Sequence, residues 1–234
     1  IEDKLLDHQK ITNNTFSNRI NFDDVIKYKR FILDQVCKNF DKKASDSIKN
    51  SYNQFCLDNS YWLDDYSLFN GLKEANVQKP WMNWNIKKLR TNISVRNEKI
   101  VQFLFHKQWQ RLRKYSNAKG IKIIGDMPIY VGYDSADVYY NRDLFQLDKN
   151  GEMLFQAGAP PCEYQSNGQV WGNPLYSWGA NERNNFDWWK KRFKKLFEMV
   201  DIIRIDHFIG YAKYFRIPIA DKVANNGEWL SAPG

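Results

Sequence analysis

Apolar positions recur at helical spacing through the first half of the chain and in short β-branched runs through the second. From Phe22 to about Phe40, the side chains of Val25, Ile26, Tyr28, Phe31, Ile32 and Val36 fall on one side of a 3.6-residue repeat, which predicts an amphipathic helix. Ala44–Asn59 reads as a second helix and Tyr61–Phe69 as a third, with Trp62, Tyr66 and Phe69 on its apolar face. Pro80 to Trp84 reads as a loop. A long helix is expected from about Asn97 to Ala118, stopped by Gly120 just past its end. Residues 1–20 are polar and weakly patterned. Residues 1–119 are therefore expected to form a mostly helical subdomain.

The pattern changes at Ile121. Ile121-Lys122-Ile123-Ile124-Gly125 is a short β-branched run of buried-strand type. Asp134-Ser135-Ala136-Asp137 has the composition of a helix start. Asn150-Gly151, between Phe145-Gln146-Leu147 and Met153-Leu154-Phe155, signals a hairpin. Residues 158–176 read as a Gly/Pro-rich loop. Phe186 to Val200 is an amphipathic helix pattern with Phe186, Trp189, Phe193, Leu196 and Phe197 inward, and Asp201 to Ile205 is a second buried strand. Strand, long excursion, helix, strand is a βαβ unit with parallel strands. Residues 120–234 are thus expected to be an α/β segment with two parallel strands and an inserted hairpin and loop region.

Both strands run into an acidic residue, Asp126 and Asp206. In parallel barrels the functional side chains stand at the C-terminal ends of strands. In the run Arg204-Ile205-Asp206-His207-Phe208, alternation puts Arg204 and Asp206 on one face. A guanidinium beside a carboxylate favours its charged form. An ionised carboxylate at a strand end, followed by a hydrogen-bonding His207, suits attack on a sugar carbon. A plain Arg–Asp ion pair capping a strand is the alternative, and two carboxylates at the same end of neighbouring strands weigh toward chemistry.

Composition narrows the picture less. The chain has 234 residues, 43% of them hydrophobic, enough for one large domain or two small ones. Aromatic residues make up 16%, with nine Trp, which suits either an aromatic core or sugar stacking. The net charge of +8 raises nucleic acid as a partner. Acidic residues are interleaved with the basic ones, however, and the densest cluster, Lys190-Lys191-Arg192 with Lys194-Lys195, fits a solvated helix face. No nucleic-acid partner is expected. Cys37, Cys56 and Cys162 are odd in number and lack metal-ligand spacing, so a reducing, cytoplasmic setting is expected, with no metal and no disulfide framework. No apolar run of membrane-spanning length and no signal peptide is visible. A chain that opens on Ile1 and stops after Ala-Pro-Gly234 reads as cut from something longer.

Four segments in order carry a family resemblance. Gly125-Asp126-Met127-Pro128-Ile129-Tyr130-Val131, Asp134-Ser135-Ala136-Asp137-Val138, Gly168-Gln169-Val170-Trp171-Gly172-Asn173-Pro174-Leu175-Tyr176 and Arg204-Ile205-Asp206-His207-Phe208 resemble the amylomaltases, the 4-α-glucanotransferases of glycoside hydrolase family 77. The resemblance is strong from about residue 97 onward and weaker but continuous over the helical part. It implies an α/β fold, the middle segment of a (β/α)8 TIM barrel with a large helical insertion subdomain. It implies transfer of α-1,4-glucan units between maltooligosaccharides, with retention and no cofactor. By that resemblance Asp206 is the nucleophile, Arg204 holds its charge, and His207 and Asp126 hydrogen-bond the sugar on the donor side. Gln169, Trp171 and Asn173 border the sugar cleft.

A retaining mechanism also needs an acid/base carboxyl about 5 Å from the nucleophile. The resemblance places that Glu after the next barrel strand, beyond Gly234, so the 234 residues alone are expected to be inactive. Glu163 and Glu228 are the nearby glutamates that could replace it, and an ordinary surface or loop role is the plainer reading of both. After Pro160-Pro161 the chain departs from the family pattern with Cys162-Glu163-Tyr164-Gln165-Ser166, which bears on acceptor preference. Two other readings stand beside transfer: a catalytically incomplete glucan-binding homologue and, more distantly, a basic nucleic-acid-binding protein.

Overall fold

A computed structural model describes residues 5–6, 19–85 and 95–233. The chain divides into two compact units, Ile1–Gly71 with Thr91–Gln108, and Leu72–Arg90 with Trp109–Gly234. This division follows packing, whereas the 119/120 division follows element type.

In the first unit, α1 (Phe22–Lys43) starts where the side chain of Asn21 accepts from the amides of Asp23 and Asp24. Acidic residues fill its first turn and Lys42 and Lys43 its last, as the helix dipole favours. Ser45 caps α2 (Asp46–Asp58) in the same way. The core is aromatic: Phe40, Phe55 and Phe103 pack with Val36, Leu63, Ile100 and Leu104. Burying such side chains is worth about 1.5–3 kcal/mol each. The apolar stripe of α1 is covered only toward its C-terminal end, since Phe22, Ile26 and Phe31 are exposed. α3 (Ser60–Ala75) buries Leu63 and Phe69, while Trp62 and Tyr66 lie partly buried against each other. α4 (Val95–Ala118) supplies Ile100, Phe103 and Leu104 to this core.

In the second unit, β1 (Ile124–Met127) and β4 (Ile202–Ile205) form a parallel pair, joined in sequence through α7 (Asp187–Met199). β1 begins three residues later than the apolar run suggests, but Ile123 still pairs: its carbonyl accepts from the amides of Asp201 and Ile202. The carboxylate of Asp201 accepts from the Ile123 amide, Asn117 and Arg113, and these bonds, the amide foremost, hold its pKa down to about 2. Both strands were expected to be buried on each face. One face is instead open: the register partners Ile124 and Ile202 are 63% and 42% exposed. The other is closed by α7, with Val200 directly against Gly125.

The excursion after β1 passes through α5 (Ala136–Tyr140), capped by Ser135 as its Asp-Ser-Ala-Asp composition suggests. The Asn150-Gly151 turn forms, with Asp148 accepting from the amides of Asn150 and Glu152 and Gly151 at φ +92°. It closes only a single bridge, Leu147 to Met153, rather than a hairpin of strands. β2 (Phe155–Ala159) pairs instead with β3 (Gln169–Pro174) and β5 (Lys213–Pro218), and β5 with β6 (Glu228–Ser231), giving an antiparallel order β3-β2-β5-β6. Much of the expected 158–176 loop is therefore strand. The cause lies in backbone approach: at Gly158, beside a bulge in the β2–β3 ladder, a Cβ would stand 2.1 Å from the Gln169 carbonyl. Such an approach leaves no alternating side-chain pattern to read.

After β3, α6 (Trp178–Arg183) packs Ala180 and Asn181 inward. Phe186, expected as the first inward residue of the next helix, is its left-handed cap at φ +53°, and Phe197, also expected inward, is exposed. Trp188 and Trp189 of α7 are buried with Tyr176 and Phe145. Within the basic cluster on α7, Lys190, Lys191 and Lys194 are exposed, as a solvated helix face requires, and Arg192 reaches beyond the helix. Lys191 pairs with Asp187, Lys195 with Glu198, and Arg192 reaches the carbonyl of Pro128. All three cysteines are free, and no helix among the described residues is long and apolar enough to cross a membrane.

Candidate active site at the ends of the parallel strands

The parallel register makes Asp126 and Arg204 partners, each the third residue of its strand. Their side chains meet: Arg204 Nε lies 2.7 Å from Asp126 Oδ1. The same guanidinium, through Nη2, lies 3.3 Å from Asp206 Oδ2. One fork thus spans two carboxylates, one from each strand end, which the planar five-donor geometry of Arg permits and a point charge does not. All three side chains remain more than half exposed, so the group is open to a ligand.

His207 follows at once in the left-handed region, at φ +48°, and turns the chain into a 3-10 turn over Phe208–Tyr211. His, Asn and Asp tolerate that conformation better than most residues. Its ring meets the ring of Trp171 edge-on, 5.0 Å between centroids. Burial lowers the His207 pKa from its ordinary value, outweighing the opposing pull of the Asp206 charge, and so favours the neutral ring. Its Nε2 is buried with no hydrogen-bond partner among the described residues. Gly210 makes room for it: a Cβ there would stand 2.3 Å from Ile129 Cδ1 and 2.9 Å from His207 Cδ2.

Gln169 and Trp171 alternate along β3 and share a face, and Gly172 at φ +71° interrupts the alternation before Asn173. Trp171 Nε1 donates to Gln169 Oε1 at 2.8 Å, which links Gln169, Trp171 and His207 in one chain of contacts. Asn173 is used differently: its Nδ2 donates to the Val131 carbonyl at 2.8 Å, tying β3 to the loop after β1. The six other candidate residues therefore gather into two groups, Asp126–Arg204–Asp206 and Gln169–Trp171–His207, joined through the adjacent Asp206 and His207, while Asn173 holds backbone.

Of the two alternative glutamates, Glu228 sits on β6 paired with Arg216, and Glu163 stands exposed in the Cys162–Gln165 turn. No cluster of His, Cys, Asp and Glu that could hold a metal occurs among the described residues.

The structure thus brings a strand-end Arg between two acids, beside a His–Trp contact. The family described as 4-alpha-glucanotransferase, glycoside hydrolase family 77, matches residues 1–234. The chain belongs to this family. The 4-alpha-glucanotransferase of Synechocystis sp. is 40% identical over 94% of this chain and 46% of its own length. That of Clostridium butyricum is 38% identical over 99% of this chain and 50% of its own length. The amylomaltase from Streptococcus agalactiae, solved in complex with acarbose, superposes with a TM-score of 0.89 at 32% identity, over 98% of this chain and 49% of that one. The chain spans about half the length of the family members it matches.

Two side chains near these groups carry no role in the sequence reading. Tyr130, inside a quoted motif, packs between Trp171 and Tyr176, at 5.9 Å from each ring. Arg192 lies within an apparently solvated basic run, yet it is one helical turn beyond two tryptophans. That i, i+3 and i, i+4 spacing to Trp189 and Trp188 was the available signal.

Proposed function

We propose that the protein to which these residues belong transfers α-1,4-glucan units between maltooligosaccharides by a retaining double displacement, with Asp206 as the nucleophile. The observation that carries the reading is the Arg204 fork between Asp126 and Asp206 at one end of two parallel strands. Asp206 attacks the anomeric carbon as the glycosidic bond breaks, giving the glycosyl intermediate while the departing sugar oxygen takes a proton from the acid/base carboxyl, and Arg204 positions the Asp206 carboxylate. Asp126 and the neutral His207 hydrogen-bond the donor-side sugar; a neutral imidazole offers one donor and one acceptor, which suits hydroxyl groups. Trp171 supplies an apolar face for a sugar ring, Gln169 fixes the indole, and Asn173 holds the cleft border. An acceptor hydroxyl then displaces Asp206, in competition with water.

The reading extends to architecture. β1 and β4 are adjacent strands of a (β/α)8 barrel, and residues 1–119 are a helical insertion. Support comes from the open strand face, where Ile124 and Ile202 lie below the Asp126–Arg204 pair as an interior layer of a barrel would. The acid/base carboxyl, which must stand about 5 Å from the nucleophile, comes from outside residues 1–234. Residues 1–234 alone are then inactive, and disproportionation by the isolated chain would overturn that assignment. Acidic partners along α7 weigh against nucleic acid, since Lys191 pairs with Asp187 and Lys195 with Glu198, and three free cysteines fit a cytoplasmic setting.

Incubating the complete gene product with maltotriose and resolving products by size tests the function. Glucose together with a ladder of longer maltooligosaccharides is the expected result. Glucose and maltose without longer products means hydrolysis. Unchanged maltotriose means a glucan-binding homologue without catalysis.

A further inference from the structure

The segment after β1, Pro128 to Val131, is held from three directions by side-chain donors. Tyr176 Oη donates to the Ile129 carbonyl at 2.6 Å, and Asn173 Nδ2 donates to that of Val131 at 2.8 Å. The remaining donor is Arg192 of α7, whose Nη2 lies 2.6 Å from the Pro128 carbonyl and whose Nη1 lies 3.5 Å from that of Ile129. The guanidinium lies over Trp188 and Trp189, at 5.0 and 5.1 Å from their rings. Contact with both rings restrains the guanidinium while its N–H groups reach the two carbonyls.

We propose that Arg192 is a positioning residue for the donor side of the glucan cleft, acting through the Pro128–Val131 segment. The inference rests on the transfer reading above. Pro128 is two residues beyond Asp126, so a bond on its carbonyl sets where β1 ends and where that carboxylate points. Ile129 carries the same constraint to the second strand end, because its Cδ1 lies against the Gly210 backbone beside the His207 ring. Trp189, beneath the guanidinium, also packs on Tyr211 at the far end of the His207 turn, 5.4 Å between centroids. Helix α7 thereby holds the segment just after Asp126 through Arg192 and packs on the turn that follows His207 through Trp189. A charged donor on a backbone carbonyl is among the stronger hydrogen bonds, and small misplacements at a reacting centre lower rates steeply.

The test uses two variants of the full-length protein. Arg192→Met keeps the apolar stem over the tryptophans and removes the donors; Arg192→Lys keeps one charged donor. With maltotriose, well below each variant's melting temperature, Arg192→Met is expected to lower kcat/KM about tenfold or more, with Arg192→Lys recovering part of the loss. Amide exchange of a peptide covering residues 127–132 is expected to speed up about tenfold in Arg192→Met. A lowered melting temperature with unchanged kcat/KM in both variants would overturn the proposal, because it is the signature of a purely structural arginine. Unchanged exchange in residues 127–132 would overturn it as well. If wild-type protein shows no transfer, the transfer reading fails, and with it the catalytic consequence. The exchange result then decides whether Arg192 holds the segment.

Discussion

Arg204 and Asp126 are register partners across two parallel strands, and their side chains close that register with a 2.7 Å ion pair while Asp206 takes the other side of the same guanidinium at 3.3 Å. An arginine with one carboxylate partner would be an ordinary strand cap. An arginine shared between two, both open to solvent, can keep one partner while a substrate engages the other.

Replacing Asp206 by Asn in the full-length protein removes the nucleophile and leaves the shape almost unchanged. Transfer from maltotriose is expected to fall on the order of a thousandfold or more. The side chain is 71% exposed, so stability should change by no more than about 0.5 kcal/mol. Product ladders and thermal melts check the two parts. Wild-type rates in the variant would exclude Asp206 as the nucleophile.

Arg204→Lys retains the charge and loses the fork. A single ammonium cannot span Asp126 and Asp206 as the guanidinium does, so kcat/KM should drop about 10- to 100-fold. Steady-state kinetics with maltotriose reads this directly, and a Lys variant as active as wild type would show that the shared geometry is dispensable.

His207 should titrate below its usual 6.5 because burial disfavours the charged ring. Its folded pKa lies below the unfolded value, so the unfolded chain binds more protons in that window. The stability it contributes is present above pH 6.5 and lost as pH falls through the folded pKa. Asp206 opposes the depression, so Asp206→Asn should move the midpoint lower still. Histidine NMR titration of the two proteins checks both the position and the direction.

Asp201 anchors the start of β4 to Arg113, Asn117 and Ile123. Its pKa is lowered from 3.8 to about 2, so its stabilisation is present above 3.8 and disappears as pH falls through about 2. Asp201→Asn should therefore melt at a lower temperature than wild type at pH 7, with the gap narrowing below pH 4 and closing near pH 2. A gap that does not depend on pH would mean that shape, not charge, matters there.

Gly158→Ala forces a methyl group to 2.1 Å from the Gln169 carbonyl, a backbone atom that cannot swing aside. The β2–β3 ladder must open, and Trp171 moves with β3. Urea unfolding is expected to show a loss of about 3 kcal/mol or more, together with weaker glucan binding.

Much of the helical half was legible because its signals are local. The long helix ends at Ala118 with Gly120 at φ +76° just past it, and Val36 and Phe40 are buried one helical turn apart. The β1 and β4 pair was legible for a similar reason, since β-branched runs bounded by acids mark both the strands and their ends. β3, β5 and β6 were not. Their pairing depends on glycine-permitted backbone approach and on partners far along the chain, and neither leaves a period in the sequence.

The site divides in the same way. Residue identity and order alone determined the family, the two strand-end carboxylates and the arginine two positions before Asp206, because motifs are read residue by residue and strand alternation is local. Only the tertiary structure decided that Arg204 lies closer to Asp126 than to Asp206, that burial beside Trp171 favours the neutral form of His207, that Asn173 bonds backbone, and that Arg192 reaches the Pro128 carbonyl. Each of these depends on the parallel register and on which surfaces are dried by packing, and such long-range distances are set by the whole fold rather than by neighbours in the chain.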